Sequence, residues 1–145
     1  AVVYGYGGVF SIVHHVLTEL GIEVTVTGRN PEKAKERAEE FGIRPYDGSQ
    51  KDLFVNAAPV TDQPLRQAEH FIEALQGAKC AFDHHMPGKY LKQYCEENSI
   101  HYIPGSEMYY PQMYKQWELF LEDIVSVEEI PLLLEKADRL AQDMQ

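Results

Sequence analysis

Three glycines within the first eight residues carry the most specific chemistry in this sequence. They stand in Val2-Val3-Tyr4-Gly5-Tyr6-Gly7-Gly8-Val9, a short apolar run that turns straight into helical apolar spacing. That spacing runs through Val9, Ile12, Val13, Val16, Leu17 and Leu20 and is closed by Gly21. Gly5 suits the tight turn out of a strand, and Gly7 lets the backbone approach a bound group. The amides of Gly7, Gly8 and Val9 at the helix start then face an anion. Strand, Gly-x-Gly turn and helix in that order open a dinucleotide-binding fold, and the anion expected at the turn is a pyrophosphate.

A second locus lies at Thr27-Gly28-Arg29-Asn30, with Lys33 one helical turn further on. Folds of this kind select their dinucleotide at the end of the second strand. A carboxylate there accepts from the ribose 2′-hydroxyl of NAD, whereas a cation suits the 2′-phosphate of NADP. No carboxylate occupies the position, and Arg29 offers phosphate two parallel N–H bonds while Lys33 adds charge, which points to NADP. Asp83-His84-His85, with Cys95 and His101 further along, raises the question of a metal. Adjacent strand histidines point to opposite faces, so no metal is expected. At a strand end, His84 or His85 could serve as an accessory general base, against the plainer reading of solvated loop histidines. His14 and His15 read as surface residues of the first helix.

These residues need a frame to bring them together, and strand-like and helix-like patterns alternate almost throughout. Strands are expected at 2–4, 23–27, 43–46, 53–57, 79–82 and 100–103. Helices are expected after the first turn, from Asn30-Pro31 to Phe41, through Leu65, Ala68, Ile72 and Leu75, over 87–97, and as two closing helices at 107–124 and 127–144. The alternation predicts a Rossmann-type α/β fold, a doubly wound parallel sheet with helices on both faces and two C-terminal helices. Ligands on such a sheet sit at the carboxyl ends of the strands, where Gly5–Gly8, Gly28–Asn30, Asn56–Pro59, Asp83–Pro87 and Gly105 all fall. Trp117, Phe120 and Leu121 read as core, and Tyr109, Tyr110 and Tyr114 around Pro111 either wall a ligand or pack a helix start. Ile130, Leu133, Leu134, Ala137, Leu140, Ala141 and Met144 form an apolar stripe. It either folds back on the sheet or docks on another domain or a second chain, so a homodimer stays open.

The bulk properties narrow the function classes. The 145 residues suffice for one dinucleotide-binding domain. A net charge of −10 opposes nucleic-acid binding. No apolar run reaches membrane-spanning length and no signal peptide is present, so no membrane partner is expected. Cys80 and Cys95 read as reduced thiols of a cytoplasmic protein.

Four segments in order resemble the shikimate dehydrogenases and their shikimate dehydrogenase-like relatives. Gly5-Tyr6-Gly7-Gly8 resembles that family's Gly-Ala-Gly-Gly turn, and Gly28-Arg29-Asn30 its Asn-Arg-Thr segment. Asp52-Leu53-Phe54-Val55-Asn56-Ala57-Ala58-Pro59 resembles Asp-Leu-x-Ile-Asn-Ala-Thr-Pro. Gly105-Ser106-Glu107-Met108 with Gln112, Gln116 and Trp117 keeps the spacing of Gly-x-x-Met-x-x-x-Gln. The resemblance covers residues 1 to about 122. It departs at Phe10, where the family prefers a small residue, at Ala58 and Thr61, and across Asp83-His84-His85-Met86-Pro87.

The resemblance implies an NADP(H)-binding domain of an oxidoreductase in aromatic amino acid biosynthesis. Its reaction moves a hydride between NADP and a hydroxy acid of the shikimate type. By position, Gly5–Gly8 and Val9 cradle the pyrophosphate, and Arg29, with Asn30 and Lys33, meets the 2′-phosphate. Asn56, Ala57 and Ala58 line the cofactor channel, Gly105 and Met108 flank the nicotinamide, and Gln112 reaches the substrate. The family's catalytic Lys and Asp belong to an N-terminal substrate domain with no counterpart here. This chain alone is therefore expected to bind nucleotide and catalyse little, with residues 127–144 as a docking helix for that domain. A non-catalytic regulatory domain, or an NAD(P) oxidoreductase for another small hydroxy acid, are the alternatives.

Overall fold

A computed structural model of the chain describes residues 1–60, 69–85 and 89–143. Residues 1–105 form one compact unit and residues 106–145 a second. The first begins with β1 (Val2–Tyr4), α1 (Gly8–Glu19), β2 (Thr25–Thr27), α2 (Pro31–Glu40), β3 (Arg44–Pro45) and β4 (Leu53–Asn56). It continues through α3 (Glu69–Leu75), β5 (Cys80–Asp83), α4 (Lys89–Glu97) and β6 (His101–Pro104), and the second unit holds α5 (Ser106–Leu121) and α6 (Ile130–Asp143). The expected α/β alternation is present, with strand ends within two residues of their expected positions. The parts of the expected elements at Leu65, Ala68, Met86, Pro87 and Met144, and the departure at Thr61, lie outside the described residues.

All five strand pairings are parallel, in the order β3-β2-β1-β4-β5-β6. The chain winds outward from β1 through β2 to β3, then crosses to the other side of β1 and winds out again through β4 to β6. The strand order therefore reverses between β1 and β4, which is where such sheets open a crevice for a ligand.

Strand alternation assigns the two faces. Val2, Tyr4 and Phe54 point to the side covered by Phe71 and Leu75 of α3 and Leu91 and Cys95 of α4. Val3, Val26 and Val55 point to the other, against Phe10 and Leu17 of α1 and Ala38 of α2. Local signals start and stop α2 as the sequence suggests. Pro31 occupies its first turn, the Lys33 amide donates to Asn30 Oδ1 at 3.2 Å, and Gly42 follows with φ +64°.

The buried face of α1 differs from the expected one. Phe10 is fully buried and Leu17 nearly so, whereas Ile12, Val16 and Leu20 are 67%, 49% and 68% exposed. Two stripes of helical spacing coexist on this helix, and aromatic packing selects between them. The Phe10 ring meets Phe41 edge-on at 5.1 Å, and the Arg37 guanidinium lies over both rings, 5.5 Å and 4.6 Å from their centroids. His14 joins this cluster, its ring 4.9 Å from Phe41, so it is a packing residue and not a simple surface histidine. The large residue at position 10 is thus absorbed by the core between α1 and α2.

In the second unit, the expected core role of Trp117, Phe120 and Leu121 is not met. Trp117 is 39% and Phe120 70% exposed, and α5 has no buried residue. Two helices can cover only one face of each other, so helical spacing of apolar residues does not by itself bring burial. Ile130 of the α6 stripe is buried, while Leu133 and Leu140 are exposed.

The core packing makes a direct prediction. Phe10→Ala should lower stability by about 3–5 kcal/mol, read as a shifted urea midpoint at unchanged slope. A loss below about 1 kcal/mol would contradict the buried placement of this ring.

Candidate functional site

The turn after β1 sits at the strand-order reversal. Gly5 has φ +121°, and a Cβ built there would lie 2.9 Å from the Ala57 carbonyl carbon and oxygen and 3.2 Å from the Ala58 nitrogen. Only glycine permits both this backbone and this approach of β1 to the strand beside it. Hydrogen bonds tie the carboxyl edge of the sheet together. Gly5 N–H donates to Thr27 O at 2.9 Å, Ala57 N–H to Tyr4 O at 2.8 Å, and His84 N–H to Asn56 O at 3.0 Å.

Gly7 and Gly8 differ from Gly5 in kind. A Cβ at either would meet nothing within 4 Å, so their backbone borders open space. Gly7 is the N-cap of α1, makes no side-chain cap, and no acidic residue stands in the first turn of the helix. The helix thus presents its leading amides and the positive end of its dipole to that space, an arrangement suited to a phosphate. Half-buried Val9 follows in the first turn.

Arg29 and Lys33 are both exposed, beyond the end of β2 and in the first turn of α2. Among the described residues, neither side chain makes an ion pair or hydrogen bond. Asn30 is committed to capping α2. A feature not anticipated from the sequence lies beside them. Gly28 is buried, and a Cβ there would come within 2.6 Å of Tyr6 Cε1.

The far side of the crevice is held by a buried polar network. Asn56 and Asp83 close the adjacent strands β4 and β5 as register partners, and both are fully buried. Asn56 Nδ2 donates to Asp83 Oδ1 at 2.9 Å, and Asn56 Oδ1 accepts from the Ala58 amide at 3.1 Å. Asp83 Oδ1 also accepts from the His85 amide at 3.1 Å, and Oδ2 from the Tyr102 hydroxyl at 3.2 Å. Burial pushes the Asp83 carboxyl above its ordinary value of 3.8, against the pull of these donors. Burial and the neighbouring Asp83 push the Tyr102 phenol up as well. The sequence signal for this network is a polar residue closing each of two neighbouring strands. The partnership with Tyr102 is non-local and left no such trace.

The other candidates divide by position. His84 and His85 are half-buried in the loop after β5, and a Cβ at Gly105 would lie 2.6 Å from Asp83 O and 3.0 Å from His84 O. Position 105 therefore admits no side chain. Ala57 and Ala58 are half-buried beside Gly5. Met108 and Gln112 lie on α5 in the second unit, both exposed. Among the described residues, no three His, Cys, Asp or Glu side chains gather as a metal-binding group, and no helix is long and apolar enough to cross a membrane. Cys80 and Cys95 are free thiols, and burial pushes the Cys95 thiol up to about 12, which leaves it unreactive.

Solved structures of shikimate dehydrogenases share this architecture. Shikimate 5-dehydrogenase from Thermus thermophilus, solved with NADP(H) and shikimate, aligns with a TM-score of 0.65 at 26% identity, over 94% of this chain and 54% of that one. A shikimate 5-dehydrogenase-like protein aligns at 0.65 and 23% identity, over 90% and 52%. The Mycobacterium tuberculosis shikimate dehydrogenase aligns at 0.64 and 20% identity, over 93% and 56%. The chain spans about half the length of these structures. No protein-family model and no curated protein sequence matches it. The fold is Rossmann-type α/β and resembles that of the shikimate dehydrogenases.

The raised Asp83 pKa gives a signed expectation. The native chain holds this proton more tightly than the unfolded chain, so the carboxyl's contribution to stability is complete below 3.8 and is lost as pH rises through the raised value. Urea unfolding across that range should show wild type losing stability relative to Asp83→Asn as pH rises. A difference independent of pH would contradict the assignment. At any pH, Asp83→Ala strands the Asn56, His85 and Tyr102 donors, at about 1–3 kcal/mol for each one left buried.

Proposed function

We propose that this chain is the NADP(H)-binding domain of a shikimate dehydrogenase-like oxidoreductase. The observation that carries the reading is the pairing of an open glycine turn at the β1–β4 crevice with an Arg29 guanidinium that has no ion-pair partner among the described residues. The 26% identical Thermus thermophilus structure with NADP(H) supports the choice of cofactor.

The residues present fit such a dinucleotide. The open backbone of Gly7 and Gly8 and the leading amides of α1, with Val9, would hold the pyrophosphate. Arg29 and Lys33 would hold the 2′-phosphate, with Asn30 fixing the helix start between them. Asn56, Ala57 and Ala58 would line the channel, held in place by the buried Asn56–Asp83 pair. In the first unit, Gly105 would lie beside the nicotinamide. His84 or His85 would be an accessory base. When bound, the cofactor supplies a hydride acceptor or donor for a hydroxy acid of the shikimate type. The first unit would hold the nucleotide, and α6 of the second would dock on a substrate-binding part that corresponds to the other half of the aligned structures. The rest of the substrate's binding site and the principal proton-transfer groups belong to that part.

Two outcomes test this reading. Arg29→Ala should weaken NADPH binding by about 1.5–3 kcal/mol, or roughly 10- to 150-fold, and leave NADH binding within about twofold, measured calorimetrically. Equal weakening of both would sink the 2′-phosphate assignment. The 145-residue chain mixed with shikimate and NADP+ should produce no NADPH absorbance above background. Robust turnover would refute the need for a further substrate-holding part.

A further inference from the structure

The glycine at position 28 is not explained by its backbone. It has no left-handed φ, unlike Gly5, Gly21, Gly42, Gly48 and Gly77, so any residue could adopt its conformation. What a side chain there would have to displace is the ring of Tyr6. A Cβ on residue 28 would lie 2.6 Å from Tyr6 Cε1, 2.9 Å from Cδ1 and 3.7 Å from Cζ, against the Cδ1–Cε1 side of the ring. Tyr6 is the middle residue of the Gly5-Tyr6-Gly7 turn, and its half-buried ring packs on the apolar cluster that contains Val26. One side chain of the glycine turn therefore covers the backbone that leads from β2 into Arg29.

The flanks of Arg29 are thus held on both sides. Gly28 lies against the side of the Tyr6 ring, and Asn30 is fixed by its bond from the Lys33 amide. Thr27 is in turn tied to the glycine turn through its carbonyl, which accepts from Gly5 N–H. Arg29 itself makes no ion pair or hydrogen bond among the described residues. Its aim is set by the backbone between these two anchors.

We propose that Tyr6 is a positioning residue for dinucleotide selectivity: its ring holds the Gly28–Arg29 backbone so that the guanidinium meets the 2′-phosphate. The proposal rests on the NADP(H) reading above and deepens it. The contact is made by the ring carbons, so the hydroxyl is dispensable and the aromatic ring is not. A loosened backbone costs the phosphate contact, which NADPH makes and NADH lacks, and leaves the open Gly7-Gly8 backbone intact for both.

The test is calorimetric titration of the full chain and its variants with NADPH and with NADH, with circular dichroism to verify folding. Tyr6→Phe should match wild type. Tyr6→Ala should lose about tenfold in NADPH affinity, the scale of one misplaced charged hydrogen bond, with NADH within about twofold. Gly28→Ala, which drives a methyl group into the ring, should show the same selective loss, and the double variant should be no worse than either single one. Gly28→Ala carries the test alone if Tyr6→Ala does not fold. Equal losses for both nucleotides, unchanged selectivity, or losses that simply add would overturn the role of Tyr6. Wild type that binds no NADPH would overturn the underlying reading and the proposal with it.

Discussion

The approach of β1 to β4 at Gly5 is the constraint on which the site depends. At this position the parallel sheet reverses its winding, and the chain must leave β1 between strands whose connections run to opposite faces. A residue with φ +121° and no Cβ allows the Ala57 carbonyl to come into contact where the strand order reverses. The next residues then become the N-cap and first turn of α1, with Gly7 and Gly8 bordering open space. The aim of the helix dipole, the open glycines and the seat for an anion all follow from this one turn.

On the other side of the crevice, the sheet edge is rigid because its polar groups are buried and shared. Asn56 and Asp83 occupy matched positions on β4 and β5, where apolar residues would have left the Ala58 and His85 amides without acceptors. The carboxyl accepts three bonds and still suffers from desolvation, so it is held away from its ordinary titration. Such a group fixes the backbone after two strands at once. Gly105 packs against the same segment, since the Asp83 and His84 carbonyls fill the space that a side chain would need.

Much of this was legible in the sequence because its signals are local. The Gly5–Gly8 turn, the Asn30-Pro31 helix start and the polar strand ends at Asn56 and Asp83 each declare themselves within a few residues. The failures share a different origin. On α1, the Ile12-Val16-Leu20 stripe and the Phe10-His14-Leu17 stripe both have helical spacing, and Arg37 on α2 with Phe41 just beyond its end decide which is buried. Tyr102 reaches Asp83 across two strands, and Tyr6 reaches Gly28 across the turn of β1 onto β2. Trp117 and Phe120 have core-like spacing but lie in a pair of helices with too little surface to bury them. Contacts of this kind exist only once the sheet order is fixed.

Whether a dinucleotide sits at the glycine turn with Arg29 on its 2′-phosphate is read by calorimetric titration of the unmodified chain with NADPH and, separately, with NADH. NADPH should fill one saturable site per chain, with NADH weaker by at least about tenfold. Binding of neither nucleotide, or of both with the same affinity, would contradict that placement.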